Sequence, residues 1–445
     1  MRGKYICLLF ILILCMAACV GNVQPDDNER IQIYTAHTLL PSAVIAAELP
    51  PQPPPEVLPE TSYNQSQPFP GRIAIFTESW GWGGFGGEYF SAKWLVDKHG
   101  AQNIFHNSRW TGSRHSLELT AQSVINDPEI RVVIINSAKR GVNYFVSLIR
   151  EQRNDIFIIY IEYDSYGYCD YPYISQTFSQ GVAMADLILN VDMDAMYTAF
   201  PMQAQKLGAE TIVFFAVEPG PCYCCGDFFF DDFDYEERNI MRVKSEQLGL
   251  NFVEAFRCHG AIGCMSDTAR YMSENIPKWI NKYGRNIAFA GLCDERLLWD
   301  FRNTGVVYPS SLTMIPSPQF IALGLFIPSF LAMERELSMD ISNLPFIIAE
   351  TRKALAERDM LGRISTWPVH ASALLTYAAV EYGIRWMNGE VPSTDIDLAV
   401  LEQIMVNFIA AYSGEEGLGV RLTQRSHDGN TYPNYILFFM DFMIY

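Results

Sequence analysis

The sequence predicts an α/β protein with two lobes, each built around a parallel β-sheet. Runs such as RVVIIN at residues 131–136 and IFIIYI at residues 156–161 are continuously apolar. Such runs are typical of parallel strands covered on both faces, because neither side of the strand then meets water. Helical segments separate the runs, and the same alternation restarts near residue 211. The restart predicts a second sheet of similar plan.

The first lobe begins with RIAIFT, a short β-rich run. Its strands are predicted at residues 72–77, 103–106, 131–136, 156–161 and 186–191. Its helices are predicted at residues 88–98, 117–126, 142–150 and 193–207. This alternation of strand and helix favours parallel neighbours in one sheet.

The second lobe repeats the alternation. Its strands are predicted at residues 211–216, 251–256 and 286–291, and its helices at residues 235–248, 267–283, 295–301 and 341–357. Residues 362–368 then form an extended connection, because Pro368 disfavours helical backbone at Trp367. The remaining elements are predicted helices at residues 369–388 and 395–412 and a strand at residues 435–444.

The N-terminus has the three parts of an export signal. Arg2 and Lys4 precede an apolar run over residues 5–14, and Ala17 and Ala18 follow it. Charge, apolar run and small-residue cleavage site in this order predict a signal peptide over residues 1–18. The alternatives are an uncleaved anchor helix and an ordinary signal peptide without lipid.

The segment MAAC, residues 16–19, resembles the lipobox of bacterial lipoproteins. That resemblance implies lipidation of Cys19 and a protein anchored to the cell membrane by lipid, on its periplasmic or extracellular face. Residues 19–70 are rich in proline, which keeps a chain extended and semi-rigid. We therefore expect them to form a tether.

The overall charge and the later apolar segments limit the partners. The formal net charge is −18, and an acidic surface repels phosphate backbones, so nucleic acid is not expected as a partner. The apolar stretch at residues 320–333 is short and is interrupted by Pro328. No segment after the signal peptide is predicted to span a membrane.

Several segments together resemble a family of bacterial lipoproteins that is known as a domain of unknown function, within the type I periplasmic binding proteins. They are the lipobox, RIAIFT at 72–77, DLILNVD at 186–192, KLGA at 206–209, GRISTWPV at 362–369 and WMNGE at 386–390. The resemblance implies two Rossmann-like lobes with parallel sheets. Lobe 1 would comprise residues 71–208 plus the helix at 369–389, and lobe 2 residues 209–362. Residues 390–445 would be a C-terminal extension of uncertain lobe.

Ligands of open parallel sheets bind beyond the carboxyl ends of the strands. The residues that follow the predicted strands, together with Trp367 in the connection, are therefore the expected ligand contacts: Glu78, Ser79, Trp80, Trp82, Ser137, Tyr163, Asp164, Asp294 and Trp367. They are rich in acids and aromatics and poor in cations, which favours a ligand with hydroxyl, amine or cationic groups. Residues 81–86 also fit G-x-G-x-x-G, but the next strand lacks the acidic residue of a dinucleotide site.

Seven cysteines remain after the signal peptide and Cys19 are set aside: Cys169, Cys222, Cys224, Cys225, Cys258, Cys264 and Cys293. Disulfides are the first interpretation for a protein outside the cytoplasm. A metal site using Cys222, Cys225, Cys258 and His259 is an alternative, although its spacing matches no standard zinc pattern. A catalytic thiol would need His259 beside a cysteine. Neither a cofactor nor a metal is predicted.

The predicted function is that of a lipid-anchored, extracytoplasmic solute-binding protein, not an enzyme. Its partners would be a small-molecule solute, a membrane permease of the ABC type and the membrane. The permease follows from the resemblance alone. The alternatives are a surface receptor or adhesion lipoprotein with the same fold, and a metal or redox protein that uses the cysteines of lobe 2.

Overall fold

The computed structural model describes fourteen segments of the chain. They are residues 69–77, 87–108, 113–136, 141–162, 184–217, 233–257, 264–284, 286–290, 313–315, 344–357, 359–392, 394–415, 417–427 and 429–445. The strands are β1 (Arg72–Thr77), β2 (Ile104–Asn107), β3 (Ile130–Asn136), β4 (Phe157–Glu162), β5 (Leu187–Val191), β6 (Thr211–Val217), β7 (Asn251–Arg257), β8 (Ile287–Ala290), β9 (Thr313–Ile315), β10 (Ser365–Thr366), β11 (Val420–His427), β12 (Asn430–Met440) and β13 (Met443–Ile444). The helices are α1 (Gly87–His99), α2 (Arg114–Asn126), α3 (Val142–Arg150), α4 (Met193–Lys206), α5 (Phe233–Gln247), α6 (Cys264–Tyr283), α7 (Leu344–Ala356), α8 (Ala371–Met387) and α9 (Leu398–Ser413).

The strands form two separate larger sheets, which confirms the predicted fold class. The first sheet has seven strands in the order β11-β12-β5-β4-β3-β1-β2, and the second has four in the order β7-β6-β8-β9. All neighbours in both sheets are parallel except β11 and β12, which are antiparallel. The antiparallel pair ends the first sheet on one side.

Helices cover both faces of the seven-stranded sheet. Alternate residues of β1 and β3 belong to two apolar clusters, because successive side chains of a strand point to opposite faces. The cluster on one face includes Ile75, Val132 and Ile134 with residues of α1, α8 and α9. The cluster on the other face includes Phe76 and Val133 with residues of α2 and α3. Burial on both faces explains why these strands have no polar alternation.

Several helices have an N-cap residue whose side chain accepts a hydrogen bond from a backbone N–H group of the first turn. Ser113, Asp192 and Asp397 accept from the N–H groups three residues later, at 3.3, 2.9 and 3.1 Å. Each bond satisfies one of the N–H groups that a helix leaves without a partner at its start. In the described ranges, no helix is both long enough and apolar enough to cross a membrane.

The C-terminal residues join the first sheet. The strand predicted at residues 435–444 is two strands, β12 and β13, separated at Asp441 and Phe442. β12 lies parallel to β5, with Tyr435 opposite Ile188, and β11 forms a hairpin with β12. β11 was not expected from the sequence because an edge strand needs few apolar residues. β13 pairs with β10 in the 362–369 connection, so the chain end returns to that segment.

Candidate functional site

The candidate site is the carboxyl edge of the seven-stranded sheet, on the face covered by α8. Thr77 and Asn136 are the last residues of β1 and β3 and lie opposite each other in the register of these strands. His106 of β2 lies opposite Ile75, which belongs to the α8-face cluster. All three side chains therefore lie on the face of the sheet that α1 and α8 cover, at the edge where open parallel sheets bind ligands.

Thr77 and His106 form a partly buried polar pair. The hydroxyl of Thr77 lies 2.8 Å from Nε2 of His106, and Thr77 is fully buried. Burial lowers the pKa of His106 to about 4, because the charged imidazolium loses its hydration. At neutral pH the ring is uncharged and presents one donor and one acceptor nitrogen.

Asn136 is held by α8. Its Nδ2 donates to the hydroxyl of Thr376 at 2.5 Å, and that hydroxyl donates to the carbonyl of Ser372 at 2.6 Å. The hydroxyl of Thr376 donates its single proton to Ser372, so it can only accept a hydrogen bond from the side-chain amide of Asn136. This orients Nδ2 of Asn136 toward Thr376. The Oδ1 atom of Asn136 is buried and, within the part of the chain that the structure describes, has no hydrogen-bond partner.

The start of α8 lies at the same edge. Thr376 contacts the last residue of β3, whereas Gly383, two turns later, packs against Val132 near the beginning of that strand. The helix therefore runs antiparallel to the strands, and its N-terminus faces the carboxyl edge. His370 caps it, with Nδ1 at 3.2 Å from the backbone nitrogen of Ser372 and 2.8 Å from its hydroxyl.

Trp367 is the predicted ligand contact that the structure describes. Its side chain is fully buried. The ring packs against Phe438, Phe439 and Phe442, with centroids 5.2, 5.8 and 6.4 Å away. The indole Nε1 is buried and has no hydrogen-bond partner in the fourteen described segments. The packing shows a core role at the junction of the 362–369 connection and β12, and ligand contact by Trp367 stays a prediction.

The other predicted contacts lie outside the described residues. They are Glu78, Ser79, Trp80, Trp82, Ser137, Tyr163, Asp164 and Asp294. Outside the described residues lie also Cys19 and the metal candidates Cys222, Cys225, Cys258 and His259. Several come directly after described strand ends, namely Glu78 after β1, Ser137 after β3 and Tyr163 after β4. In the fourteen described segments, no three His, Cys, Asp or Glu side chains are grouped as metal ligands would be.

Sequence reasoning did not select Asn136, Thr376 and His106. The candidate set began one residue beyond each strand, so Thr77 and Asn136 were counted as strand. A polar residue that ends an apolar run, such as Asn136 in RVVIIN, was the available signal for this position. Thr376 lies 240 positions from Asn136, and nothing in its own helix indicated the pairing.

A second polar cluster lies on the opposite face of the sheet. The hydroxyl of Tyr435 donates to Glu162 and accepts from Asn190 at 3.0 Å and Arg425 at 2.6 Å. Asn190 also donates to Glu162 at 3.3 Å. The hydroxyl has both donor and acceptor partners, so this cluster is a structural link between the C-terminal hairpin and strands β4 and β5.

Several solved structures of other proteins align with this chain. A provisionally assigned transcriptional regulator from Clostridium difficile 630 has a similar structure, with a TM-score of 0.65, 15% identity, and coverage of 84% of this chain and 99% of that one. A periplasmic solute-binding protein of an ABC transporter from Actinobacillus succinogenes 130z with bound D-allose aligns with a TM-score of 0.42 and 12% identity, over 73% of this chain and 94% of that one. LsrB from Clostridium saccharobutylicum in complex with AI-2 aligns with a TM-score of 0.42 and 8% identity, over 84% and 97%.

The first of these matches shows a shared fold. No curated protein matches the sequence. The model of the family described as protein of unknown function DUF3798 matches residues 117–365, which include β3, the second sheet and the start of the 362–369 connection. The chain belongs to this DUF3798 family.

Proposed function

We propose that this protein is a lipid-anchored, extracytoplasmic solute-binding protein that captures a small molecule for an ABC-type importer. The observation that carries the proposal is the uncharged polar group at the carboxyl edge of the seven-stranded sheet, formed by the buried residues Thr77 and Asn136 with the half-buried His106. Small-molecule sites combine an apolar surrounding with a few convergent polar groups. In open parallel sheets they form at this edge.

Binding would act through an equilibrium between open and closed arrangements of the two sheet regions. A ligand shifts such an equilibrium by its difference in affinity for the two states. Hydrogen bonds link α4, the 362–369 connection and β13. Gln203 of α4 donates to Ser365 at 2.8 Å, and Ser365 donates to the carbonyl of Met443 at 2.9 Å. We expect closure to bend the chain beside these bonds.

The proposal is for binding and not for catalysis. The structural relative from Clostridium difficile 630 is described as a regulator, but the formal net charge of −18 makes an approach to nucleic acid unfavourable for this chain. The importer partner rests on the resemblance of the sequence to solute-binding lipoproteins. A surface receptor with the same fold is the alternative, and it would need no closing cleft.

A ligand screen on the mature protein tests the binding proposal. Protein purified from its own host would be examined by native mass spectrometry for a retained small molecule. The same protein would then be melted with sugars, nucleosides, amino acids, amines and peptides. A concentration-dependent rise in Tm with at least one solute is expected, because a ligand that binds only the native state stabilises it. If the mass spectrum shows no retained molecule and no solute raises Tm, the proposal is contradicted.

Membrane anchoring is tested separately with Cys19→Ser. We expect the wild-type protein to incorporate radiolabelled palmitate and to fractionate with membranes. The variant should lose both properties, because serine has no thiol to acylate. An unlabelled wild-type protein, or a labelled variant, would contradict lipidation at Cys19.

A further inference from the structure

Asn136 has an unusual combination of complete burial and incomplete hydrogen bonding. Its side chain is fully buried, Nδ2 is fixed toward Thr376, and Oδ1 has no hydrogen-bond partner among the described residues. Buried amide oxygens are nearly always hydrogen-bonded, because an unpaired one has lost its hydration without compensation. An exception at the carboxyl edge of a parallel sheet suggests a function, since this is where ligands of open α/β sheets bind.

We propose that the side-chain carbonyl oxygen of Asn136 is the acceptor that anchors an uncharged donor group of the ligand, a hydroxyl or an amide N–H. This inference rests on the proposed solute-binding function and names the chemistry of its site. Thr376 acts as a positioning residue, because its hydroxyl holds the amide in the orientation that leaves Oδ1 for the ligand.

The neighbouring side chains favour an uncharged partner. Thr77, Ser372 and Thr376 carry no charge, and His106 is neutral because burial lowers its pKa to about 4. An anionic group would meet no cation among these residues, and an ammonium group would meet no carboxylate. Burial of an unpaired charge is strongly unfavourable, whereas a hydroxyl or amide needs only the hydrogen bond that Oδ1 can accept.

A second buried atom of opposite polarity lies on the same face of the sheet. The Nε1 donor of Trp367 also has no partner, and its ring packs on Phe438 of β12. β12 and β3 are three strand spacings apart in the sheet, or roughly 14 Å. An acceptor at Asn136 and a donor at Trp367 fit a ligand that carries both donor and acceptor groups without net charge.

Two asparagine variants at the same edge allow a crossed test. Asn136→Leu removes the unpaired oxygen and keeps the number and branching of the side-chain heavy atoms. Asn190→Leu is the matched control, because Asn190 is buried on the opposite face with both ends of its amide bonded, to Tyr435 at 3.0 Å and to the backbone of Val191 at 2.7 Å. We expect Asn190→Leu to lower Tm more than Asn136→Leu does, because it breaks satisfied bonds.

Binding should show the reverse order. Isothermal titration would use D-glucose, D-ribose and myo-inositol as polyols, nicotinamide and uracil as amides, D-gluconate and D-glucose 6-phosphate as anions, and putrescine as a cation. We expect an uncharged probe to bind the wild-type protein, with affinity about tenfold weaker in Asn136→Leu, because one hydrogen bond is lost. Affinity should be unchanged in Asn190→Leu. Preference for polyols or for amides would identify the donor group.

Other results would overturn the inference in distinguishable ways. Equal affinity of wild type and Asn136→Leu for an uncharged probe would leave solute binding intact and reject Asn136 as the anchor. Binding of only the charged probes would reject the uncharged class and keep the proposed function. Failure of every probe, combined with no retained molecule in the native mass spectrum, would reject both. If Asn136→Leu fails to fold, Thr376→Val replaces it, and unchanged affinity in that variant would contradict the role of Thr376.

Discussion

The amide nitrogen of Asn136 donates to the hydroxyl of Thr376 across a separation of 240 residues in sequence. This bond joins the carboxyl end of β3 to the first turns of α8. It places a helix from the far end of the chain directly over the edge of the first sheet, and the candidate site depends on that placement.

Thr376→Val should therefore destabilise the protein by about 1–3 kcal/mol, because the amide nitrogen of Asn136 would remain buried without its acceptor. Thr351→Val is the matched control. Thr351 is equally buried in a helix and donates to the carbonyl four residues earlier at 2.6 Å, as Thr376 does. Chemical denaturation of both variants measures the difference, and equal losses would mean that the bond to Asn136 contributes nothing.

Gly383 sets the distance between α8 and the sheet. A methyl group added there would lie 2.9 Å from Cγ1 and 3.3 Å from Cγ2 of Val132. Gly383→Ala should cost about 1–2 kcal/mol, because the overpacking exceeds the gain in helix propensity. Val132→Ala makes room for the methyl group, so the double variant should be more stable than the sum of the two single changes predicts. Strict additivity in urea denaturation would contradict direct contact.

Tyr435 and Tyr445 differ in how their buried hydroxyls are bonded. Tyr435→Phe should cost about 2 kcal/mol, because its hydroxyl links Glu162, Asn190 and Arg425. Tyr445→Phe is the control, since the Tyr445 hydroxyl is buried and no described residue forms a hydrogen bond with it. It should leave stability unchanged or raise it slightly. Thermal unfolding of the two variants measures this difference. A larger loss of stability in Tyr445→Phe than in Tyr435→Phe would contradict the hydrogen bonds assigned to Tyr435.

The protein should become less stable at acidic pH because His99 becomes protonated. Burial, and secondly the charge of Lys98, lower the pKa of His99 to about 4 from its ordinary 6.5. The neutral ring is therefore preferred in the folded state, so the contribution is complete above pH 6.5 and is lost as the pH falls toward 4. The loss is on the order of 3 kcal/mol, from 1.36 kcal/mol for each pKa unit.

His99→Phe retains a ring against Phe69, whose centroid lies 5.4 Å from that of His99, and removes the titration. Its unfolding free energy should decline less steeply than that of the wild type between pH 6.5 and 4. Urea denaturation at several pH values measures the unfolding free energy of both proteins, and each value is expressed relative to that of the same protein at pH 7.5. Parallel curves for the two proteins would contradict the assignment to His99.

The sequence predicted the strands of the first sheet closely. RIAIFT, RVVIIN and IFIIYI form β1, β3 and β4 within one residue of the predicted bounds. These strands are buried on both faces, so each carries its own signal as a continuous apolar run. The same reasoning missed β11, whose residues are mostly exposed or half-buried, because an edge strand is defined by its neighbour and not by its composition.

The candidate site shows the same limit. The rule that ligands lie beyond the carboxyl ends of strands selected, from sequence alone, the same edge at which we propose the site. It did not identify Asn136 and Thr376, because their pairing depends on how α8 crosses β3. Trp367 was selected as a ligand contact from its place in the extended connection, and its packing against Phe438, Phe439 and Phe442 was not foreseen because those residues are distant in sequence.

The sequence by itself determined the α/β class, the presence of two sheets and the acidic charge, because periodicity and composition are local properties of the chain. The tertiary structure decided that residues 420–440 complete the first sheet, that α8 covers its carboxyl edge, and which amide atom of Asn136 remains unbonded. These facts depend on contacts between residues hundreds of positions apart, and only packing brings such residues together.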